Sequence, residues 1–279
     1  MEEKKLTAGA FFGSVGRALC YLLLFVLCQG LVSVVYSLTF TLYSMLNPGL
    51  PLNPMDLIFA CTDQISLISG LATLIILSAF FLLRRKNPLR ETGFCATHSR
   101  FVFTAIAVTP LLYAAVSLIL GTLPESWMEE YAEAAASLNQ KGVLITVATV
   151  LAAPLVEEII FRGLVLSRLS RVLPGWLAVL LSALLFGVCH GQIIWMAYAF
   201  VLGVIFGFFA LRSKSIWPSL CAHILFNGIG QIAVYVPETD TAINLFYLGL
   251  LGCGVVLCIA AGLYAHFHPL YPKKTGSVS

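Results

Sequence analysis

The chain has 279 residues, 59% of them hydrophobic and only 10% charged, with a formal net charge of +3. A soluble globular domain carries roughly 25% charged residues, so this balance argues against one and for a polytopic membrane protein. There is no basic or aromatic nucleic-acid pattern, glycine-rich phosphate loop, low-complexity segment or fixed-period repeat, so no nucleic-acid partner is expected.

In chain order, Lys4 and Lys5 precede a first apolar run, 18–46, that is far too long for a signal-peptide core and reads as an uncleaved membrane helix. Seven further apolar segments follow at about 57–83, 101–122, 142–166, 175–190, 193–211, 216–236 and 243–266. The fifth is short, and "HGQ" leaves almost no loop between it and the sixth. The breaks carry turn chemistry: "NPGLPLNP" at 47–54, "RRKNPLRETG" at 84–93, "LPGW" at 173–176 and "VPETD" at 236–240. With the N-terminus inside, 15 of the 16 lysines and arginines fall on the inner side and only Lys141 outside. The positive-inside rule thus supports eight spans with both termini cytoplasmic. The fold expected is an all-α polytopic membrane protein of about eight transmembrane helices, one integral membrane domain over 1–279. The short loops and compact size suggest a bacterial inner membrane.

The outer segment 124–141 places Trp127, Tyr131, Ala134, Ala135 and Leu138 at helical spacing opposite Glu125, Glu129, Glu130 and Glu133. It reads as an extracytoplasmic amphipathic helix lying on the membrane surface or against the protein. The eight cysteines lie in apolar segments, form no CxxC pair, and read as small hydrophobes.

Ionisable groups inside a bilayer cost at least about 2.5 kcal/mol each, so each one suggests a function. The spans contain Asp63, Glu157, Glu158, Arg162, His190 and His223, with Asn227 and Gln231 as neutral polar partners. Asp63, near the outer end of its span, reads as structural. In "APLVEEIIFRG", Glu158 and Arg162 are four apart and can pair on one helix face. Glu157 points about 100° away and is expected to be unpaired, a carboxylate able to take and return a proton. Pro154 is expected to kink the helix. Phe186 and His190 are four apart in "FGVCHG", as are His223 and Asn227 in "CAHILFNG". Three apolar helices with polar faces should turn them toward a shared intramembrane cavity. The heights conflict if every helix is upright: His190 lies roughly 21 Å along its helix, whereas Glu157 and His223 lie roughly 10–15 Å from their inner ends. A short fifth–sixth hairpin that stops within the membrane resolves this, with the cavity opening toward the cytoplasm.

These residues resemble the CPBP intramembrane proteases, a family that includes CAAX prenyl endopeptidases and bacteriocin-processing or immunity (Abi-type) proteins. Its three motifs, EExxxR, FxxxH and HxxxN, stand here as Glu157 to Arg162, Phe186 to His190 and His223 to Asn227, in order and on separate segments. The resemblance spans a catalytic core of about 142–230. It implies an endopeptidase acting on a membrane-associated peptide or protein, prenylated or bacteriocin-like. Glu157 would be the general base, His190 would place the water, and His223 and Asn227 would bind the oxyanion. Glu158, Arg162 and Phe186 would support them. The preferred reading needs no cofactor, while a zinc ion on His190, His223 and Glu157 is the other. Two further classes stay open: a non-proteolytic peptide- or lipid-binding immunity protein, and a Glu/His proton-coupled transporter.

Overall fold

The computed structural model describes residues 7–47, 61–136 and 141–268. Among the described residues the chain is helical with no strand. The helices are α1 Ala8–Leu46, α2 Thr62–Leu83, α3 Pro88–Glu91, α4 Ser99–Leu120 and α5 Glu125–Ala136. They continue as α6 Val143–Leu169, α7 Gly175–Val188, α8 Ile193–Ser213, α9 Trp217–Ala233 and α10 Asp240–Phe267. Six of them, α1, α2, α4, α6, α8 and α10, are long and apolar enough to cross a membrane. The protein is an all-α polytopic membrane protein, and each of the eight expected segments contains one helix.

The helix ends follow local chemistry. The side chains of Thr7, Asn87 and Thr239 accept backbone N–H groups at the starts of α1, α3 and α10. Proline occupies the first turn of α3 and α9, where no N–H is needed. Helix α7 has only 14 residues, about 21 Å, less than the roughly 30 Å hydrocarbon core. It turns into α8 through Gly191, at φ +76°, while the Gln192 side chain accepts the Trp195 N–H at 2.9 Å. The first arm of the hairpin expected between the fifth and sixth segments is thus short, whereas its second arm, α8 at 21 residues, is long enough to cross a membrane.

Helix α6 lies at the centre. Pro154 neither ends it nor stops its register. Instead the backbone widens into π-helical turns at Val147–Ala152 and Glu158–Leu166, on both sides of the proline-bearing segment. Phe161 of α6 packs edge-on against Phe25 of α1 and Phe186 of α7, at centroid distances of 6.0 and 5.1 Å. The turn after α3 wedges between α6 and α9. A Cβ on Gly163 would overlap the Thr92 carbonyl, so only glycine lets α6 approach this backbone so closely. On the other side of the turn, Ile216 N–H donates to Gly93 O at 3.0 Å.

The two ends of the bundle differ in charge. At the basic end, Glu91 pairs with Lys86 at 3.2 Å and with Arg168 at 2.9 Å. Partial burial raises the Glu91 carboxyl pKa, but the hydrogen bond from Lys86 and the charges of Lys86, Arg168 and Arg171 outweigh it and hold the group below the usual range. At the opposite end, α5 settles the question left open for the amphipathic segment. Its Tyr131 ring packs 6.3 Å from Tyr198 of α8 and Ala135 is buried, so it docks on the protein, with Trp127 left exposed. Leu138, also assigned to that apolar face, lies outside the described residues. Helices α1 and α10 present mostly apolar exposed faces, as lipid-facing helices must. All eight cysteines are free thiols.

Candidate active site

Helix α6 brings Glu157, Glu158 and Arg162 to the middle of the bundle. The Glu158 side chain is fully buried, with Oε1 2.8 Å from Arg162 Nη1, so the i,i+4 pair expected from spacing is present. The guanidinium then braces two neighbouring helices. It stacks over Phe186 of α7 at 4.3 Å and Phe206 of α8 at 5.5 Å, and its Nη2 donates to Gly203 O at 3.4 Å.

Glu158 has a second partner that sequence spacing did not reveal. His223 Nδ1 lies 3.0 Å from its Oε1. An ionised carboxylate only accepts, so Nδ1 carries the proton and the ring orientation is fixed. The other nitrogen, Nε2, then points to Glu157, 3.6 Å from Oε2. His223 thus stands between the two glutamates, hydrogen-bonded to Glu158 and, at 3.6 Å, outside hydrogen-bond reach of Glu157, which stays clear of the Glu158–Arg162 pair as expected. Two residues adjacent in sequence acquire different roles because a helix sends their side chains in different directions. Glu158 points into a closed interior and Glu157 into a cavity.

His190 sits in the turn after α7. Its Nδ1 is 2.8 Å from Phe186 O, and since a carbonyl only accepts, Nδ1 is the protonated nitrogen. That leaves Nε2 as a lone-pair acceptor. The ring packs against Phe186 at 4.8 Å and Trp195 at 5.6 Å. Phe186 also contacts the His223 ring, at 5.9 Å, so one aromatic plate sets both imidazoles and the arginine. Asn227, one turn beyond His223 on α9, donates Nδ2 to the Thr149 carbonyl at 2.8 Å. One amide hydrogen is committed there and the second is still available.

Glu157, His190, His223 and Asn227 all line one cavity of about 870 Å³. Its opening differs from the sequence reading. The wall extends to Thr62, Asp63, Leu120, Tyr131 and Glu238, all at the end away from the basic residues. The expected opening toward the cytoplasmic, basic end is thus overturned. The α7–α8 hairpin and the starts of α2 and α6 leave the space at the opposite end, while the α3 turn fills the basic end. Sequence analysis also missed Trp195, Tyr198 and Thr149. Asp63 was identified but not placed on the cavity.

The fit of a zinc ion can be tested on these contacts. Anchored Nδ1 atoms with free Nε2 atoms are how metal-binding histidines are usually held. The ligands themselves do not converge: among the described residues no three His, Cys, Asp or Glu side chains come together as a metal site. The arrangement as it stands does not fit a three-ligand zinc centre.

A polar, histidine- and glutamate-lined cavity inside an apolar helix bundle defines a membrane protein with an intramembrane site. Comparison with known proteins agrees and bears out the resemblance to the CPBP family. Residues 139–229 match the family described as type II CAAX prenyl endopeptidase Rce1-like. A Bacillus subtilis (strain 168) protein, described as "Putative membrane peptidase YdiL", is 26% identical over 127 residues, covering 43% of this chain and 52% of that protein. The match thus spans about half the length of that relative. No solved structure matches the chain.

Proposed function

We propose that this protein is an intramembrane endopeptidase in which Glu157 activates water and His223 with Asn227 receives the developing oxyanion. One observation carries the reading: Glu157, His190, His223 and Asn227 face a single cavity while the buried Glu158–Arg162 pair orients His223. Water held by the His190 Nε2 lone pair gives a proton to Glu157 and attacks the peptide carbonyl carbon. The carbonyl oxygen takes hydrogen bonds from the free Asn227 amide hydrogen and from His223 Nε2, which donates once the ring has taken up a second proton beside Glu157. Glu157 then returns the proton to the leaving amine as the C–N bond breaks. One water is consumed, and one carboxyl and one amine end are released. The mechanism is metal-free. Zinc on His190, His223 and Glu157 would require those side chains to move together.

The substrate is a membrane-associated peptide or protein, in keeping with the peptidase family matched. The basic end is read as cytoplasmic in a bacterial inner membrane, with both termini there, so the cavity mouth faces the other side. The test compares wild type with Glu157→Gln, first by proteomics of the host membrane and then with purified protein in detergent. A membrane precursor that accumulates in the variant and is cut by wild type in vitro supports the reading. A precursor cut equally by both refutes it. If neither protein cuts any peptide, a binding protein or a Glu/His proton relay replaces it, and proton flux in proteoliposomes separates those two.

A further inference from the structure

The charges around the cavity are one-sided. Three acids line it, Asp63, Glu157 and Glu238, and among the described residues no lysine or arginine does. Residues 48–60 and 137–140 contain neither residue type. The nearby α5 adds Glu129, Glu130 and Glu133, all exposed. The single basic residue in that region, Lys141, lies over the Tyr235 ring at 5.3 Å. Arg162, the buried cation beside the site, is committed to Glu158, and the buried Arg168 further toward the basic end to Glu91. A substrate with a free carboxylate beside the cleaved bond would meet repulsion and no lysine or arginine to pair with, whereas a cationic side chain would be drawn in.

Position narrows this further. Gly70 of α2 is level with α6 next to Glu157, since a Cβ on it would lie 3.1 Å from the Val156 side chain. Asp63 is seven residues earlier on the same helix, about 10 Å nearer the mouth at 1.5 Å per residue. Glu238 lies beyond the end of α9, further toward the mouth than Asn227. An extended peptide covers about 3.3 Å per residue, so 10 Å corresponds to about three residues. The Asp63 carboxylate already accepts the Gln64 N–H at 2.7 Å, which holds it in place at the half-buried start of α2.

We infer that the cavity selects a membrane-associated peptide carrying lysine or arginine two to four residues from the cleaved bond, with Asp63 and Glu238 as the residues that read this charge. The inference deepens the endopeptidase reading and rests on it for the cleaved bond, but the charge selection can be measured without cleavage. Fluorescein-labelled apolar peptides of 16 residues, with one scanned position as lysine or glutamate, are titrated by anisotropy onto Glu157→Gln protein in phosphatidylcholine nanodiscs. This lipid is zwitterionic, so the bilayer itself does not favour the cation. The lysine peptide is expected to bind about tenfold more tightly than its glutamate twin, the order expected for a partly screened ion pair. Adding Asp63→Asn and Glu238→Gln should reduce the ratio to about twofold, and Asp63→Lys should reverse it. The asparagine still accepts the Gln64 N–H, so the helix start survives. Equal affinities, or a ratio unchanged by the two amides, overturn the inference, and cleavage of both peptides by wild type would leave the endopeptidase reading standing. Charge selection without any cleavage leaves Asp63 and Glu238 as the residues that read the charge, and removes the endopeptidase reading together with the spacing from a cleaved bond.

Discussion

Replacing Arg162 with methionine tests how the site is held together. Arg162 is 3% exposed and its partner Glu158 is fully buried, so the change leaves an enclosed carboxylate with no cation beside it and only the neutral hydrogen-bond partners His223 and Ser219. Removing one member of a buried pair costs about 3–5 kcal/mol. The lost stacking on Phe186 and Phe206 adds to this, and methionine recovers part of the packed volume. A loss of about 4 kcal/mol would consume much of the 5–15 kcal/mol that stabilises a typical protein. Unfolding by SDS titration in mixed micelles, followed by circular dichroism, measures it. The double variant Arg162→Met with Glu158→Leu removes both charges and should recover most of the loss. It should nonetheless stay inactive, because His223 Nδ1 no longer has a carboxylate to orient it. An Arg162→Met protein within about 1 kcal/mol of wild type would refute the claim that this pair is enclosed and mutually dependent.

Glu157→Ala, His190→Ala and His223→Ala should each abolish peptide cleavage with near-normal folded yield, whereas Asn227→Ala should retain partial activity. Loss of one oxyanion donor costs about a hundredfold or more, and quenched-peptide turnover ranks the four. Prolonged EDTA or phenanthroline treatment should leave turnover nearly unchanged, and elemental analysis should find far less than one zinc per chain; a stoichiometric ion held by both histidines would require the site to be redrawn. The Glu91 carboxyl is lowered in the folded state, so its contribution is full above the unfolded carboxylate pKa, about 4.3, and is lost as pH falls through the lower folded value. Micellar stability measured between pH 6 and 3 should therefore decline more steeply for wild type than for Glu91→Gln. In single-cysteine proteins, Cys61 at the mouth end should react with membrane-impermeant maleimide in intact cells, and Cys95 at the basic end only after lysis. The reverse pattern would invert the orientation.

The helix content was legible because apolar runs of about 20 residues have few alternatives in a bilayer. The four-residue spacings were equally legible, and Glu158 and Arg162 meet as their positions on a helix require. Sequence could not show that His223 would stand between Glu157 and Glu158, because that contact joins residues 65 positions apart across two helices. Nor could it show the π-helical turns in α6, where spacing assumes a uniform pitch. The side on which the cavity opens was misjudged for a similar reason. Distances along individual helices carried no account of the α3 turn, whose contact with Gly163 depends on tertiary packing.

That turn also determines how the bundle can deform. Residues 92–97 hold the junction of α8 and α9, where Gly93 O accepts Ile216 N–H, Ser215 Oγ donates to Cys95 O at 2.6 Å and Thr97 Oγ1 donates to Ser213 O at 3.3 Å, against α6, where Thr92 abuts Gly163. Further along, α6 and α9 are joined by the His223–Glu158 hydrogen bond and, nearer the far end, by the bonds of Thr149 with Asn227 and Gln231. Separating these two helices from the far end therefore breaks the bonds of Thr149 with Asn227 and Gln231 first. A tilt of about 5° moves the far end of a 20-residue helix, about 30 Å away, by roughly 2.6 Å, yet barely shifts residues beside the pivot. Such a tilt would part Asn227 from Thr149 before it disturbed Glu158, Arg162 and His223 nearer the base, so the amide is the first of the site's groups to lose its place.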